Sequence, residues 1–374
     1  MKVLHLIDSG GFYGAEKMLL SLVQEQVKQG MEPMILSAGA PGIGEKPIEV
    51  EARRKSLPVI SWRMRPGLNI KESWKILKWA QANNYDLLHS HGFKFNVLLG
   101  AFPEKFRRIP MVSTLHGYVH APRFSTLWLY ECLDRFSIRR MNGVILVGES
   151  MKKELLGKLS SRNAVVIPNG LNISELQESS LAPLDEPFSS FFDNHDVVML
   201  GVGRLSREKG FDRLILGFSE FRKQFPGSGL VIVGEGGLRQ QLEFLVGELD
   251  IKDAVLMPGY CGNVPALLRH SKTLVMPSRT EGLPITLLEA MSLKTPVVAA
   301  AVGEIPRVLS GGEGGEILSD IEPGTIFKAM LRSVTEKGFA DRRVDQAYQK
   351  LTTHYSSEAM AARYLAFYSE ILTT

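Results

Sequence analysis

Residues 278–291 read SRTEGLPITLLEAM and connect a predicted strand to a predicted helix. The short apolar run from Thr273 to Met276 is typical of a buried strand, and Pro284 lies where the first turn of a helix tolerates a missing N–H. The stretch therefore predicts a helix N-terminus in the loop that follows a strand. Such a terminus has unpaired backbone N–H groups and the positive end of the helix dipole. We expect it to hold an anion such as a phosphate near Gly282 to Thr286.

Two acidic residues, Glu281 and Glu289, flank this helix start. Because a carboxylate is repelled by a neighbouring anion, we expect these side chains to accept hydrogen bonds from hydroxyl groups instead. Glutamates near a helix start are often only solvated charges, so the neighbouring motifs decide between the two interpretations. A phosphate flanked by hydroxyl groups is the description of a nucleotide sugar.

Length and composition favour a globular protein of two domains. A chain of 374 residues is too long for one ordinary core. A strand is predicted from Lys2 onward, and no apolar run approaches about 18 residues, so we expect a cytoplasmic protein that does not span a membrane. Cys132 and Cys261 fit no metal or redox spacing.

Charge is distributed unevenly along the chain. The net charge is +4, but residues 1–168 carry 24 Lys and Arg against 14 Asp and Glu, and the remainder carries 20 against 26. The basic clusters of the first half are Arg53-Arg54-Lys55, Arg63 with Arg65, Lys105 with Arg107-Arg108, and Arg135 with Arg139-Arg140. They are compatible with an anionic membrane surface, with an anionic acceptor, or with a merely solvated face. No nucleic-acid partner is expected, because a fold signature and interleaved aromatic residues are both missing.

The first half alternates predicted strands and helices. The strand at Lys2 to Asp8 precedes a glycine-rich turn, Ser9 to Gly14, and a helix over residues 15–29, which together open a βαβ unit. The turn does not have the G-x-G-x-x-G spacing, and the next strand, Pro33 to Ser37, ends without an acidic residue, so an NAD-dependent oxidoreductase is not expected. Its glycines either only permit the turn or also let the backbone approach a ligand.

Histidines recur where predicted strands end. One strand ends in His89-Ser90-His91-Gly92, and the strand from Met111 to Leu115 ends in His116-Gly117-Tyr118. Because ligands collect at the carboxyl ends of parallel strands, we favour His116 as a site residue, ahead of His89 and His91. A single histidine is otherwise more often a structural hydrogen-bonding group.

A second alternation of strands and helices begins near residue 196 and predicts a second doubly wound domain. The segment from about Ser174 to Asp196 lacks periodicity and is predicted to be a linker with little secondary structure. The first strand of the second half leads into GVGRLSREKG at residues 201–210, where Arg204 and Lys209 flank a turn. Two cations in the same domain as the helix start at 282–286 could neutralise a diphosphate as it leaves.

Together these motifs resemble glycosyltransferase family 4, whose members are retaining enzymes of GT-B fold. The resemblance extends over essentially the whole chain, and the motifs that carry it are Gly10-Gly11-x-x-Gly14-Ala15-Glu16, Thr114-Leu115-His116-Gly117, Ile167-Pro168-Asn169-Gly170, Gly203-Arg204-Leu205 with Lys209-Gly210, and Glu281-Gly282-Leu283-Pro284 with Glu289-Ala290-Met291. It implies an α/β architecture of two doubly wound Rossmann-like domains facing across a cleft. The implied division is residues 1–172 plus 356–374 for the acceptor-side domain, 173–195 for the linker, and 196–355 for the nucleotide-sugar domain.

The resemblance also implies roles for individual residues. Arg204 and Lys209 look like the clamp for the donor diphosphate, Glu289 like the ribose-binding residue, and Glu281 like the residue facing the donor sugar. The remaining implied site residues are His116 near the reacting sugar, Gly11 and Gly14 in a loop that approaches the donor, and the backbone at Gly282, Leu283 and Ile285 for the phosphates.

The resulting hypothesis is a retaining hexosyltransferase that moves a sugar from a nucleoside-diphosphate sugar to a carbohydrate or lipid-linked acceptor, such as an intermediate of cell-envelope polysaccharide. No D-x-D triplet occurs, so we expect no metal and no other cofactor, with Arg204 and Lys209 neutralising the charge. A nucleotide-sugar 2-epimerase and a non-catalytic nucleotide-sugar-binding protein of the same fold are the alternatives. A P-loop nucleotidase is not expected, because G-x-x-x-x-G-K-[ST] is missing.

Overall fold

The computed structural model describes residues 1–8, 11, 14–65, 67, 69–100, 102–116, 126–149, 151 and 164–373, without the side chains of 126–131, 337, 339 and 340. The chain divides into two compact units, Met1–Leu171 with Ser356–Thr374, and Asn172–Tyr355. The carboxyl-terminal helix thus belongs to the first unit, where the sequence analysis assigns it.

The described part of the first unit is a parallel sheet with helices between its strands. Its elements are β1 Lys2–Ile7, α1 Gly14–Lys28, β2 Glu32–Gly39, α2 Pro47–Arg54, β3 Val59–Arg63, α3 Ile70–Ala82, β4 Leu87–Ser90, α4 Phe93–Gly100, α5 Glu104–Arg107, β5 Met111–Leu115, α6 Thr126–Ile138, β6 Gly143–Leu146 and β7 Ala164–Val166. The strand order is β3-β2-β1-β4-β5-β6-β7, so the winding direction reverses between β1 and β4.

The second unit repeats this plan in its own sheet. Its elements are α7 Ile173–Ser179, α8 Phe188–Asp193, β8 Val197–Val202, α9 Phe211–Gln224, β9 Ser228–Val233, α10 Arg239–Glu248, β10 Val255–Gly259, α11 Val264–His270, β11 Thr273–Met276, α12 Ile285–Ser292, β12 Val297–Ala300, α13 Ile305–Val308, β13 Glu316–Leu318, α14 Pro323–Thr335 and α15 Lys337–His354. The strand order β10-β9-β8-β11-β12-β13 reverses between β8 and β11.

The prediction of an unstructured linker over residues 173–195 is wrong. Two short helices, α7 and α8, occupy this segment, and it belongs to the second unit. The side chain of Asn172 caps α7 by accepting the backbone N–H of Glu175, and α7 buries Leu176. An asparagine followed three residues later by a glutamate is a helix-start signal in the sequence, and a single buried leucine is too little apolar periodicity to reveal the helix.

The last helix, α16 (Ser357–Thr373), completes the core of the first unit. Its Met360, Tyr364 and Phe367 are buried with residues of β1, α1 and β5. The chain enters this helix through a backbone hydrogen bond of 2.9 Å from the N–H of Ser357 to the carbonyl oxygen of Leu171. The predicted apolar stripe of this helix is therefore a core-facing surface of the first unit.

We expect Gly170→Ala to destabilise the first unit, because a Cβ at this position would lie 2.5 Å from the carbonyl oxygen of Ser356 and 2.8 Å from Cβ of Met360. Relieving such overpacking typically costs about 1–3 kcal/mol. Urea unfolding followed by tryptophan fluorescence measures this unit selectively, since Trp62, Trp74, Trp79 and Trp128 all lie within it. Gly324→Ala is the control, because nothing lies within 4 Å of its added Cβ; equal midpoints for both variants would contradict the prediction.

Candidate functional site

The carboxyl edge of the second sheet brings the predicted donor-site residues to two neighbouring loops. Strands β8 and β11 are paired in parallel, with Met199 opposite Thr273 and Leu200 opposite Leu274. The loop after β8 carries Arg204 and Lys209, and the loop after β11 carries Glu281. Because the strand order reverses here, the loops leave toward opposite faces of the sheet and create a crevice, which is where ligands bind in open α/β sheets.

Lys209 and Glu281 form the central contact of this site. Nζ of Lys209 donates a hydrogen bond of 2.5 Å to Oε1 of Glu281, and Oγ of Ser278 donates to the same oxygen at 2.7 Å. The Glu281 side chain is 9% exposed and that of Lys209 is 25% exposed. The second carboxylate oxygen, Oε2 of Glu281, makes no hydrogen bond to a described residue and is available to a ligand.

Close backbone approach fixes the position of Lys209. Its methylene stem passes over Gly203, where an added Cβ would lie 3.1 Å from Cε of Lys209. The next residue, Gly210, has φ +68°, and a Cβ there would lie 2.3 Å from the carbonyl oxygen of Pro277. A backbone hydrogen bond of 2.7 Å from Arg279 to Glu208 connects the same two loops. A side chain at position 210 would therefore separate the loops that carry the ion pair.

Arg204 remains exposed beside this pair. Its guanidinium makes no salt bridge or hydrogen bond to a described residue. Hydrogen bonds lower the pKa of the nearby Glu208, and the charge of Arg204 lowers it further. The site thus brings two cations, Arg204 and Lys209, together with the carboxylates of Glu281 and Glu208.

Helix α12 begins one residue later than predicted. Pro284 is its N-cap with extended backbone (φ −73°, ψ 122°), and Ile285 is the first helical residue. No side chain caps this terminus, so its first N–H groups have no intrahelical partner and point toward the loop. Glu289 lies one turn beyond Ile285 on the same face of the helix, half-buried.

Residues that follow β12 hold the loop at Gly282 and Leu283 in place. The N–H of Glu304 donates to the carbonyl oxygen of Gly282 at 3.1 Å. Gly303 has φ +58°, and a Cβ there would lie 1.9 Å from the carbonyl oxygen of Glu281. Gly282 itself is exposed with open space around its missing Cβ, which leaves room for a ligand to approach the backbone.

In the first unit, His116 lies at the end of β5, at the same sheet edge as His91. The two rings stack with centroids 5.7 Å apart. Burial lowers the pKa of His116 to about 4 despite the opposing charge of Glu16, and its enclosed Nε2 has no hydrogen-bond partner among the described residues. His116 is therefore a neutral imidazole at pH 7 with one enclosed, unpartnered ring nitrogen.

His89, which ranks behind His116 as a site candidate, has a structural role. Its Nδ1 lies 2.6 Å from the hydroxyl of Tyr368, and its Nε2 lies 2.8 Å from Oγ1 of Thr114, which in turn lies 3.0 Å from the hydroxyl of Tyr364. Both ring nitrogens are thus used in attaching α16 to the sheet. His5, which the sequence analysis did not single out, joins this group from β1.

The histidine group could hold a metal only by breaking existing hydrogen bonds. Ring nitrogens of His5, His89 and His91 lie within 4.8 Å of one another. However, Nδ1 of His5 lies 3.0 Å from Nε2 of His91, and Nε2 of His5 lies 2.8 Å from Oε1 of Gln26. Among the nitrogens of these three described residues only Nδ1 of His91 has no partner, so the arrangement is that of a hydrogen-bonded network.

The glycines assigned to the donor-facing loop are only partly described. Gly11 lies in a bend, and Gly14 is the first residue of α1, exposed and with nothing within 4 Å of an added Cβ. Gly10 and Gly117, which belong to the motifs of the resemblance, lie outside the described residues.

In two of the predicted basic clusters, one arginine is not free surface charge. Arg107 is fully buried, and its guanidinium donates to the carbonyl oxygens of Ile109 and Phe102 and to Oδ1 of Asn142. Arg63 forms a bidentate pair with the buried carboxylate of Glu49. The interpretation in which Arg107 meets an anionic surface is therefore wrong, and the charge of Arg63 is already paired, because adjacent basic residues in the sequence point in different directions once the chain folds.

An additional charged group, not found from the sequence, lies at the carboxyl edge of the first sheet. Nζ of Lys46 donates to Oδ1 of Asp8 at 2.8 Å, and Nζ of Lys94 donates to Oδ2 of Asp8 at 2.5 Å. Burial alone would raise the pKa of Asp8, but the two lysines outweigh it and hold that pKa below its usual value.

None of the described helices is both long and apolar enough to cross a bilayer.

Both halves of the chain match glycosyltransferase families. Residues 12–175 match the family described as Glycosyltransferase Family 4, and residues 184–350 match the one described as Glycosyl transferases group 1. Solved structures share the fold over the full chain. The complex of Anabaena Alr3699/HepE with UDP superimposes with a TM-score of 0.78 at 19% identity, covering 99% of this chain and 100% of that one.

Curated relatives carry glycosyltransferase names. The uncharacterized glycosyltransferase MJ1059 of Methanocaldococcus jannaschii is 31% identical over 64% of this chain, which spans 61% of that relative's length. The alpha-D-kanosaminyltransferase of Streptomyces kanamyceticus is 23% identical over 94% of this chain and 98% of its own. The UDP-Gal:alpha-D-GlcNAc-diphosphoundecaprenol alpha-1,3-galactosyltransferase of Escherichia coli is 25% identical over 72% of this chain and 71% of its own.

The buried histidines predict that acidification destabilises the first unit between pH 6.5 and about 4. The pKa values of His5 and His116 are lowered to about 4 in the folded protein, chiefly by burial, whereas the unfolded chain binds protons near pH 6.5. Each such group costs up to about 1.4 kcal/mol per pH unit as the pH falls through this window, and nothing above it.

Urea unfolding at pH 7.0, 6.0 and 5.0, followed by tryptophan fluorescence, measures this slope. His5→Gln is expected to reduce the slope of the unfolding free energy against pH by as much as the contribution of one proton. His354→Gln changes an exposed residue of the second unit and should leave this slope unchanged. A free energy of unfolding that is independent of pH over this range would contradict the prediction.

Proposed function

The chain belongs to glycosyltransferase family 4, with the group 1 match in its second half and a GT-B fold, and we propose that it transfers a glycosyl unit from a nucleoside-diphosphate sugar to an acceptor hydroxyl with retention of anomeric configuration. The observation that carries this proposal is the Lys209–Glu281 pair at the point where the second sheet reverses its strand order.

The donor diphosphate binds where positive charge is concentrated. Lys209 gives one of its three N–H donors to Glu281 and retains two for phosphate oxygens. Arg204 adds a second cation, and the uncapped start of α12 supplies backbone N–H groups at Leu283 and Ile285. These groups stabilise the negative charge that develops on the departing diphosphate.

The two glutamates bind the hydroxyl groups of the donor. Oε2 of Glu281 faces the transferred sugar, while Oε1 keeps Lys209 in place. Glu289, one turn further along α12, accepts hydrogen bonds from the ribose. Both assignments are supported by the positions of these residues in the family motif and by their half-buried side chains.

Retention is proposed to follow front-face attack, in which the leaving phosphate accepts the proton of the acceptor hydroxyl. Neutral His116 orients the sugar or the acceptor through its unpartnered nitrogen and takes no proton at pH 7, because its pKa is about 4. We also propose that no metal is needed, since Lys209 and Arg204 supply the charge that Mg²⁺ supplies elsewhere.

The acceptor is proposed to be a lipid-linked or cell-envelope saccharide. The relative that acts on GlcNAc-diphosphoundecaprenol supports this class. Arg108, Arg139 and Arg140 are exposed members of the basic clusters and would meet the inner face of a membrane. Cosedimentation with anionic vesicles, compared between the wild type and Arg139→Ser/Arg140→Ser, decides this; equal sedimentation excludes these arginines.

One nucleotide among UDP, GDP, ADP and dTDP, or its sugar, is expected to raise the thermal stability of the protein, and Glu289→Ala is expected to abolish the shift. A ligand at 100 times its Kd adds about 2.7 kcal/mol to the stability of the folded state. Glu220→Ala, an exposed glutamate on α9, is the control and should retain the shift. A ligand that stabilises both variants equally would exclude Glu289 from the donor site.

With that donor, Lys209→Met is expected to lower kcat about 10²- to 10³-fold, the effect of losing one donor to a developing negative charge. Lys223→Met, an exposed lysine of α9, is the matched control and should keep full activity. The reaction should proceed in EDTA, and proton NMR of the product should show the donor's anomeric configuration. Full activity of Lys209→Met would exclude it from the diphosphate site.

A further inference from the structure

Three side chains from different elements meet at the carboxyl edge of the first sheet. Asp8 follows β1 directly, Lys46 precedes α2 on the chain that leaves β2, and Lys94 is the second residue of α4, just beyond β4. Because β1 lies between β2 and β4, and the strand order reverses between β1 and β4, this group, which we call the lysine pair with Asp8, lies at the binding edge of the unit.

The lysine pair is more enclosed than ordinary surface charges. The side chains of Lys46, Lys94 and Asp8 are 12%, 20% and 27% exposed. Lys46 also donates to the carbonyl oxygen of Ala38, and its Cε would lie only 3.1 Å from a Cβ at Gly39. Exposed ion pairs contribute little and are not held in one geometry, whereas these ammonium groups are fixed.

The arrangement leaves positive charge and hydrogen-bond donors unused. Two cations share one carboxylate. Lys46 uses two of its three N–H donors and Lys94 uses one, so three donors have no partner among the described residues. In addition, Lys94 lies in the first turn of α4, which contains no acidic residue, and a cation there is disfavoured by the helix dipole. An anion at this position would satisfy the donors and remove the unfavourable charge.

We propose that Lys46 and Lys94, oriented by Asp8, bind a phosphate group of the acceptor. The proposal rests on the transferase function argued above and adds the chemical class of the acceptor: a molecule that carries a phosphate group. Two sources share this chemistry, a sugar attached to a polyprenyl diphosphate and a water-soluble sugar phosphate. Phosphate fits because its several oxygens can accept the three remaining donors at once.

Direct binding tests the site without turnover. Methyl phosphate, too small to reproduce a nucleotide, is titrated while thermal stability is recorded. We expect stabilisation of the wild type and of Lys209→Met, and its loss in Lys46→Met/Lys94→Met. The matched control is Lys71→Met/Lys75→Met on the exposed face of α3, which should behave as wild type. Lys46→Arg/Lys94→Arg, which keeps both charges, should recover binding if the methionine variant fails to fold.

Kinetic measurements with three forms of one acceptor sugar distinguish the two possible sources of the phosphate group. N-acetylglucosamine is supplied as its 1-phosphate, as its polyprenyl diphosphate in detergent micelles, and as the neutral methyl glycoside. The ratio of kcat/KM for a phosphorylated acceptor to that for the neutral glycoside should fall about 1,000-fold in Lys46→Met/Lys94→Met, roughly tenfold for each of the three charge-assisted hydrogen bonds lost. A fall with only one phosphorylated form identifies that form as the source.

An unchanged ratio, or no stabilisation of the wild type by methyl phosphate, would overturn the proposal. The nucleotide measurements distinguish failure of this proposal from failure of the proposed function. If no nucleotide stabilises the protein, the proposed donor site is wrong, whereas the methyl phosphate titration still tests phosphate binding by the lysine pair.

Discussion

The Lys209–Glu281 ion pair joins the two loops at which the second sheet reverses its strand order, and the geometry of the whole carboxyl edge depends on it. Both partners are largely enclosed, so removal of either would leave a poorly solvated charge, which costs more than the loss of an exposed pair. Gly210 against Pro277, and Gly303 against Glu281, allow the loops to come close enough for the pair to form. The same approach places the start of α12 beside two cations, so a structural contact also shapes the anion site.

The carboxyl edge of the first sheet is also held by polar contacts, but these contacts involve buried, neutral histidines. Its strand ends carry histidines that burial keeps neutral, as the lowered pKa of His116 shows. Buried imidazoles need partners, and α16 supplies one to His89 directly through the hydroxyl of Tyr368, while the hydroxyl of Tyr364 contacts Thr114, the second partner of His89. The carboxyl-terminal helix is thus required by the polar groups of the sheet edge as well as by its apolar stripe. This explains why the chain returns to its first unit after completing the second.

How far the sequence predicts this molecule depends on the range of the interactions. Strands such as Met111–Leu115 and Thr273–Met276 have the predicted bounds, because a short apolar run between turn residues defines a buried strand locally. The Lys209–Glu281 contact joins residues 72 apart in sequence, and Lys94 and Asp8 are 86 apart, so no local pattern reveals either. At Arg107 the local pattern is misleading: the basic run suggests surface charge, but the guanidinium is buried and donates hydrogen bonds to carbonyl oxygens. The roles of Arg204 and Glu289 stay predictions, since the structure fixes their positions and not their ligands.

At both sheet edges a carboxylate holds lysine side chains in place and leaves N–H donors of these lysines available. A lysine side chain is flexible, and fixing it on ligand binding costs conformational entropy of up to about 2 kcal/mol. Glu281 fixes Lys209 in advance, and Asp8 fixes Lys46 and Lys94. Two cations share the one carboxylate at Asp8, and in both cases N–H donors of the lysines remain unused. An arriving anion therefore meets donors that are already oriented, and less of its binding energy is lost in ordering them. A carboxylate within a phosphate site, which by itself would repel the ligand, is favourable when it serves to position the cations.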